Sequence, residues 1–173
     1  FSFLESGKIL SITNIGLYGC RKINEFGMEY FLSKFGTRYF HITNGVPIII
    51  NENDYNLGLF NGNIGVVLKF KDGFKAVFSV ENDYRVYSID MLPDFSPAFS
   101  ITVHKSQGSE YERIMLVIGK SEKPAVLNRQ ILYTAITRAK KGVISASSME
   151  NLKQAIASSI ERESGIEYYK LFG

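Results

Sequence analysis

The pattern of apolar residues changes twice along the 173-residue sequence, and these changes constrain the fold more than any other feature. A strand-like run at residues 8–12 is followed by apolar residues at helical spacing up to Leu32. From residue 46 to residue 92, short β-prone runs replace this pattern, with turn signals such as Asn61-Gly62 between them. After residue 93, strand-like and helical runs alternate again. The sequence therefore predicts an α/β domain that is interrupted by a small antiparallel β unit.

The domain boundaries follow from these changes. Residues 1–45 and 93–173 are predicted to form one α/β domain, and residues 46–92 an inserted β domain, expected to be a small barrel. The chain begins with Phe1 rather than methionine and enters a strand-like run almost at once, which predicts a piece of a longer polypeptide.

Two helices are predicted in the second half of the chain. One spans about residues 127–140 and is expected to end at Lys140 and Lys141, before a left-handed cap at Gly142. The other starts at Ser147, which forms a capping box with Glu150. Its packing face is predicted to consist of Leu152, Ala155, Ile156 and Ile160.

Composition excludes several classes of protein. One cysteine, Cys20, and two histidines, His41 and His104, leave no Cys/His cluster that is spaced to hold zinc, so no metal site is predicted. Apolar runs such as residues 114–118 are far too short to cross a bilayer, and a cytoplasmic location is expected. The net charge of +3 permits a nucleic-acid partner without requiring one.

The first segment that carries chemistry comprises residues 102–110, TVHKSQGSE. It places hydroxyl, imidazole, amide and carboxylate groups around a flexible glycine, Gly108, at the end of a predicted strand, where α/β folds bind ligands. Thr102, His104 and Ser106 can donate hydrogen bonds to phosphate oxygens, and Glu110 can accept one from a sugar hydroxyl.

The second segment comprises residues 132–140, LYTAITRAK. Thr134 and Arg138 lie one helical turn apart and share a face, whereas Ile131, Ala135 and Ala139 lie along the opposite side. Arg138 is therefore predicted to point outward. An arginine that projects from one domain into a phosphate site on another acts as an arginine finger, which raises the rate by roughly 10³ to 10⁵.

Together the two segments closely resemble motifs V and VI of superfamily 1 helicases. Within that superfamily they look most like the RecD family, the alpha subunit of exodeoxyribonuclease V. The similarity extends to residues 45–68, GVPIIINENDYNLGLFNGNIGVVL, and to the RESGI sequence at residues 162–166. It covers nearly the whole chain, and it is most specific in the two segments.

The resemblance implies the second RecA-like motor domain, with the parallel sheet of P-loop NTPases, and an SH3-like barrel at residues 46–92. It implies that Arg138 is the catalytic arginine finger. The residues implied to contact DNA are Thr102, His104, Ser106 and Asn61. The residues implied to bind or support the nucleotide are Gln107, Gly108, Glu110, Tyr133 and Thr137. Arg21 is a further candidate for the nucleotide contact made by motif IV.

The implied activity is that of an ATP-dependent helicase that moves 5′ to 3′ on DNA in recombination and double-strand break repair. The implied ligands are ATP with Mg²⁺ and single-stranded DNA or duplex ends. The implied protein partners are a preceding RecA-like domain of the same protein and the beta and gamma subunits of exodeoxyribonuclease V.

A phosphate-binding loop is missing from the sequence. Gly119-Lys120-Ser121 copies the end of the G-x-x-x-x-G-K-[ST] pattern, but Ile114 stands where its first glycine belongs. Most of the ATP and Mg²⁺ site is thus expected to lie in the preceding domain. We therefore expect this chain alone neither to hydrolyse ATP nor to unwind DNA.

Two other interpretations of the chain remain open. One is another superfamily 1 motor, such as a relaxase-helicase or a Pif1-like helicase, since these share the first segment. The other is a non-catalytic adaptor whose SH3-like insertion binds a protein. Within the insertion, Tyr55 and Phe60 have two possible interpretations: they stack on DNA bases, or they are core residues of the barrel.

Overall fold

The computed structural model describes residues 2–35, 43–80, 83–119 and 126–158. Its elements fall into two sheets with flanking helices. In the first half of the chain they are α1 (Ser2–Ser6), β1 (Gly7–Ser11), α2 (Cys20–Phe35), β2 (Pro47–Ile50), β3 (Ile64–Phe70), β4 (Gly73–Val80) and β5 (Asp83–Ser88). After a short 3-10 turn, Ile89–Met91, they are β6 (Phe95–Pro97), β7 (Ser100–Thr102), β8 (Tyr111–Val117), α3 (Arg129–Ile136), β9 (Ala139–Ala146) and α4 (Met149–Ala157).

Four strands form a parallel sheet in the order β7-β1-β8-β9. The central strand β1 pairs with both β7 and β8, and its Ile9 lies opposite Ser100 on one side and Met115 on the other. Strand β8 alternates between buried and more exposed residues, with Ile114 and Leu116 facing the core. The predicted mixed α/β fold with a parallel sheet is confirmed.

The other five strands form an antiparallel sheet in the order β5-β4-β3-β2-β6. The expected antiparallel unit is present, but the expected closed barrel is not seen among the described residues, because the sheet stays open. Five of the six residues of β5 are exposed, and β6 is only three residues long and contains Pro97, which has no N–H to donate. The short β6 therefore offers no long ladder to which β5 could pair for closure.

Each sheet has its own hydrophobic core. The core of the parallel sheet includes Leu10, Leu116 and Ala135, and the core of the antiparallel sheet is built around Phe78, Ile48 and Val67. Helix α2 reaches the second core through Phe31, whose ring centroid lies 4.9 Å from that of Phe99. The two sheets are thereby held against each other at the point where the chain passes from β6 to β7.

The predicted end of helix α3 is wrong. Helix α3 ends at Ile136 rather than at residue 140, and Gly142 lies inside β9 instead of capping a helix. The reason is the parallel pairing of β8 with β9, which begins at Tyr111 opposite Ala139 and draws this segment into the sheet. Residues 137–140 therefore leave the helix although their sequence suits a helix terminus.

The predicted capping box at the last helix is also wrong. The N-cap of α4 is Ser148, whose side chain accepts a hydrogen bond from the N–H of Asn151, so Ser147 and Glu150 do not form the box. Of the predicted packing face, Ala155 is buried and Leu152 packs against the core, whereas Ile156 is 57% exposed. Ile160 lies outside the described residues.

Several other predicted features also lie outside the described residues. They are His41, Lys120 and Ser121 of the rejected phosphate loop, and residues 162–166. Among the residues that are described, no group of three or more His, Cys, Asp or Glu side chains is arranged to hold a metal ion. None of the described helices has both the length and the apolar character needed to cross a membrane.

Candidate functional site

The first segment runs from one edge of the parallel sheet to the other. Strands β7 and β8 both lie parallel to β1, so the connection between them must start at the carboxyl ends of the strands and return to their amino ends. We call these the carboxyl edge and the amino edge. Thr102 and His104 therefore lie at the carboxyl edge, and Glu110 lies at the amino edge.

The start of this connection is a tight turn. The hydroxyl of Ser106 donates to the carbonyl of Val103 at 2.7 Å, and the N–H of Lys105 donates to Oγ1 of Thr102 at 3.2 Å. Gly108 has a φ of +84°, a conformation that side chains rarely adopt. Ser106 is fully buried, so in this conformation it presents no surface to DNA. Its side chain holds the turn that displays His104.

A cavity of about 590 Å³ opens at the carboxyl edge. Its polar lining includes His104 and Gln107 from the first segment, Asn14 from the loop after β1, and Gln130 and Thr134 from α3. His104 and Gln107 are both exposed. Gln107, which was assigned to the nucleotide, thus shares a cavity with His104, which was assigned to DNA.

Arg138 lies at the amino edge and joins the two segments. Its Nη1 donates to the carbonyl of Ser109 at 3.3 Å, its Nε to the carbonyl of Thr134 at 3.2 Å, and its Nη2 to the hydroxyl of Thr137 at 3.4 Å. All these acceptors are neutral, and Arg138 forms no ion pair within the described residues. The positive charge is therefore held in place without being neutralised, and part of the donor fork is left for an anion.

Three other residues that the resemblance assigned to the nucleotide, Glu110, Tyr133 and Thr137, lie near the same edge. The carboxylate of Glu110 forms an ion pair with Lys140 at 3.2 Å, and both side chains are more than half exposed. Tyr133 is 71% exposed, and the hydroxyl of Thr137 lies 3.0 Å from the carbonyl of Tyr133, to which it can donate. A ligand that donates a hydrogen bond to the Glu110 carboxylate would have to compete with Lys140 for it.

A lysine at the carboxyl edge was missed by sequence reasoning. Nζ of Lys105 donates to Oδ1 of Asn51 at 2.9 Å, and the amide of Asn51 donates to Asp94 at 2.9 Å. These bonds tie the first segment to the antiparallel sheet. The signal was not visible in the sequence, because Asn51 and Lys105 are separated by 54 positions.

The same contact borders a polar cleft of about 730 Å³ between α2, the antiparallel sheet and the first segment. Arg21 and Asn24 of α2 line this cleft together with Lys105. Arg21 therefore lies on the Lys105 side of the molecule. Asn61, the remaining residue assigned to DNA, is exposed in the loop between β2 and β3.

A buried lysine lies behind the amino edge. Lys8 of β1 is 6% exposed, its Nζ donates to the carbonyl of Ala98 at 3.1 Å, and it lies 5.7 Å from the centre of the Tyr111 ring. Burial lowers the pKa of Lys8 to about 8. Lys8 and Glu110 line the same small cavity of about 270 Å³. A buried lysine thus lies beneath the amino edge, next to Glu110.

Comparison with known proteins identifies the class. Residues 97–144, which include the whole first segment and the whole second segment, match the UvrD-like helicase C-terminal domain. The chain is 38% identical over 122 residues to the RecBCD enzyme subunit RecD of Haemophilus influenzae, covering 70% of this chain and 18% of that protein. It is 35% identical over 106 residues to the ATP-dependent RecD2 DNA helicase of Deinococcus radiodurans, covering 60% of this chain and 14% of that helicase.

Among solved structures, the fold is similar to that of Pif1 helicase from Bacteroides in complex with ADP-AlF3 and single-stranded DNA. The TM-score is 0.56 with 17% identity, and the match covers 95% of this chain and 45% of that one. This likeness concerns the fold.

Residues 97–144, which carry both segments, therefore identify a UvrD-like helicase C-terminal domain. Within that class the chain is a homologue of the RecD helicases, and the resemblance to the RecD family is confirmed. The chain spans only 14% to 24% of the length of these RecD and RecD2 relatives.

Proposed function

We propose that this chain is the second RecA-like motor domain of a RecD-type helicase, which uses ATP to move 5′ to 3′ on DNA in recombination and double-strand break repair. One observation carries the proposal: the connection at residues 103–110 leads from the edge that displays His104 to the edge that holds Arg138. A short, tightly bonded connection of this kind suits a part that transmits movement between DNA and nucleotide. Residues 46–92 are proposed to be the SH3-like insertion, which the four antiparallel strands β2 to β5 within that range support.

The carboxyl edge is the proposed DNA site. Thr102 and His104 would donate to backbone phosphates, and Lys105 would add a positive charge next to them. Lys105 is held by a neutral amide rather than by a carboxylate, so a phosphate can replace Asn51 as its partner without breaking an ion pair. Gln107 lies in the same cavity as His104, and we reassign it to this edge.

The amino edge is the proposed contribution to the nucleotide site. Arg138 would neutralise charge on the transferred phosphoryl group, and the carbonyls of Ser109 and Thr134 would hold the guanidinium in place. Glu110 would accept a hydrogen bond from the ribose after leaving Lys140. Gly108, Thr137 and Tyr133 complete this side in the proposal.

The rest of the ATP site, including the residues that hold Mg²⁺, is proposed to lie in a preceding motor domain. The 173 residues contain no complete G-x-x-x-x-G-K-[ST] pattern, and this supports the proposal. We expect the chain alone to show no steady-state ATP hydrolysis above background, with or without single-stranded DNA. Turnover by the isolated chain at a rate of about 1 s⁻¹ or more, within the usual range for enzymes, would contradict this division of the site.

DNA binding by the chain tests the carboxyl edge. We expect affinity for a single-stranded oligonucleotide to fall steeply as salt rises, with a slope of about −0.7 in log K against log salt for each phosphate neutralised. His104→Ala should weaken binding roughly tenfold, because it removes a hydrogen bond to a charged group worth about 1.5 kcal/mol. Lys105→Ala should also lessen the slope by about 0.7. Fluorescence anisotropy across a salt series measures both quantities.

Lys71→Ala is the matched control for this experiment. Lys71 is exposed in the turn that follows β3. The loop that is hydrogen-bonded to Lys105 precedes β3, so the length of this strand separates Lys71 from Lys105. The Lys71→Ala variant should have the same DNA affinity, and the same slope of log K against log salt, as the unaltered chain. A salt-independent affinity, or equal losses in the Lys71 and Lys105 variants, would remove the carboxyl edge as the DNA site.

The alternatives differ in what supports them. A Pif1-like motor shares the fold, but at 17% identity, compared with 35% to 38% for the RecD relatives. An adaptor without catalysis gives no reason for an arginine that is positioned by neutral groups at the amino edge. The beta and gamma subunits of exodeoxyribonuclease V as partners, action at duplex ends, and a cytoplasmic location remain predictions.

A further inference from the structure

The loop between β2 and β3 is rigidly built. The N–H of Leu59 donates to the carbonyl of Asp54 at 3.0 Å, and the Asp54 N–H returns a bond to the Leu59 carbonyl at 2.7 Å. The Asp54 carboxylate accepts two further N–H groups, from Asn56 and Leu57. The N–H of Asn61 donates to the side chain of Asn53 at 2.8 Å. This loop thus has a defined shape without any ligand.

Two aromatic rings stand on the outside of this loop. Tyr55 is 79% exposed and Phe60 is 45% exposed, and their ring centroids lie 5.9 Å apart in an edge-on arrangement. They are not core residues, since the core of the antiparallel sheet is filled by Phe78, which is 2% exposed, and by the buried Leu59 of the same loop. The interpretation of Tyr55 and Phe60 as barrel core is therefore wrong.

The aromatic pair lies next to the proposed DNA edge. The loop leaves β2 through Asn51, and Asn51 is bonded directly to Lys105 of the first segment. Tyr55 follows Asn51 by only four positions, which limits their separation to about 14 Å of extended chain. Phe60 is held at the base of the loop, because its N–H donates to Asn63 at 2.8 Å. A nucleic-acid strand on Lys105 and His104 therefore lies beside the loop that carries the aromatic pair.

We propose that Tyr55 and Phe60 form a stacking platform for unpaired bases of the strand that lies on the carboxyl edge, with Asn61 beside it. The inference rests on the proposed DNA-binding function and extends it from phosphates to bases. Flat, exposed rings on a rigid loop suit this task, since stacking needs little ordering of the protein and accepts any base. The Lys105 side supplies the charge, and the aromatic pair supplies contact with the bases.

Abasic DNA separates the two kinds of contact, because it keeps the phosphates and lacks the bases. We expect the chain to bind a short oligothymidylate roughly 5- to 150-fold more tightly than an abasic strand of equal length for each stacked base. The double variant Tyr55→Ala/Phe60→Ala should lose this preference and bind the abasic strand as the unaltered chain does. Tyr30→Ala, which removes a ring that is 54% exposed on α2, is the matched control and should keep the preference.

A second variant guards against damage to the loop. The chain contains no tryptophan, so Tyr55→Trp introduces a single indole that can still stack. Its fluorescence should be quenched by oligothymidylate and remain unchanged with the abasic strand, while the preference for bases is retained. Equal affinity of the unaltered chain for both strands, or an unquenched indole, overturns the platform and leaves the proposed DNA function standing. Absence of binding to either strand overturns both.

Discussion

We expect that Arg138→Ala in the full-length parent protein will lower DNA-stimulated ATP turnover by roughly 10³- to 10⁵-fold, the range known for the loss of an arginine finger. The physical reason is that the guanidinium is held by Ser109 and Thr134 with its charge not neutralised by a carboxylate among the described residues. Its removal takes away stabilisation of charge that develops only during phosphoryl transfer. Nucleotide-free binding of single-stranded DNA should stay within about twofold, because the DNA edge lies across the sheet.

Two variants make this result specific. Arg138→Lys keeps the charge but loses the planar fork that contacts the carbonyls of Ser109 and Thr134 and the Thr137 hydroxyl, so most of the loss should persist. Lys71→Ala removes an exposed positive charge from the turn after β3, in the antiparallel sheet, and should leave turnover unchanged. Steady-state phosphate release measures turnover, and circular dichroism confirms folding. Normal turnover in Arg138→Ala would exclude this residue as the finger.

The second large effect concerns the buried Lys8. Its pKa is lowered by burial from 10.5 to about 8, so in this range the unfolded chain binds more protons than the folded one. The cost of burying the charge is present in full below about pH 8 and is lost as pH rises towards 10.5. We therefore expect the free energy of unfolding to increase with pH above 8, by as much as about 3 kcal/mol over the whole window. Urea unfolding at pH 7, 8, 9 and 10 measures this rise.

Lys8→Met provides the comparison. At pH 7 its free energy of unfolding should exceed that of the unaltered chain. Removing the buried charge should contribute about 3 kcal/mol, and losing the hydrogen bond to the Ala98 carbonyl should cost roughly 1 kcal/mol of this gain. The free energy of unfolding of this variant should not rise with pH. Lys71→Met, at an exposed position, should follow the unaltered chain. Burial also raises the pKa of Tyr111, which lowers stability above pH 10 and limits the useful range. A flat profile for the unaltered chain would show that Lys8 is not desolvated in solution.

Local signals predicted the strands well. Strand β3 occupies residues 64–70, within the β-prone stretch of residues 46–92, because its β-branched apolar residues and the Lys71-Asp72-Gly73 turn are properties of the sequence itself. The end of α3 was misjudged for the opposite reason. Lys140, Lys141 and Gly142 favour a helix terminus locally, but pairing with β8 offers this segment a full set of backbone hydrogen bonds. A contact between distant residues decided the outcome, and it leaves no local mark.

In the candidate site, too, some features could be predicted from the sequence and others depend on the fold. The two segments were recognisable as strings, and the structure brings them together through the bond from Arg138 to Ser109. The burial of Ser106, the position of Gln107 at the carboxyl edge and the bond from Lys105 to Asn51 depend on how the connection crosses the sheet. Residue types alone do not specify where these three side chains lie. The separation of the site into two edges is therefore a property of the fold.

The central claim is this separation, and one crossed measurement on the full-length parent protein tests it. Turnover with saturating DNA and nucleotide-free DNA affinity are measured for His104→Ala and for Arg138→Ala. We predict that His104→Ala weakens DNA affinity roughly tenfold and retains turnover once DNA is saturating, whereas Arg138→Ala retains affinity and loses turnover. If each variant impaired both quantities to the same extent, the assignment of DNA to the carboxyl edge and of nucleotide to the amino edge would be contradicted.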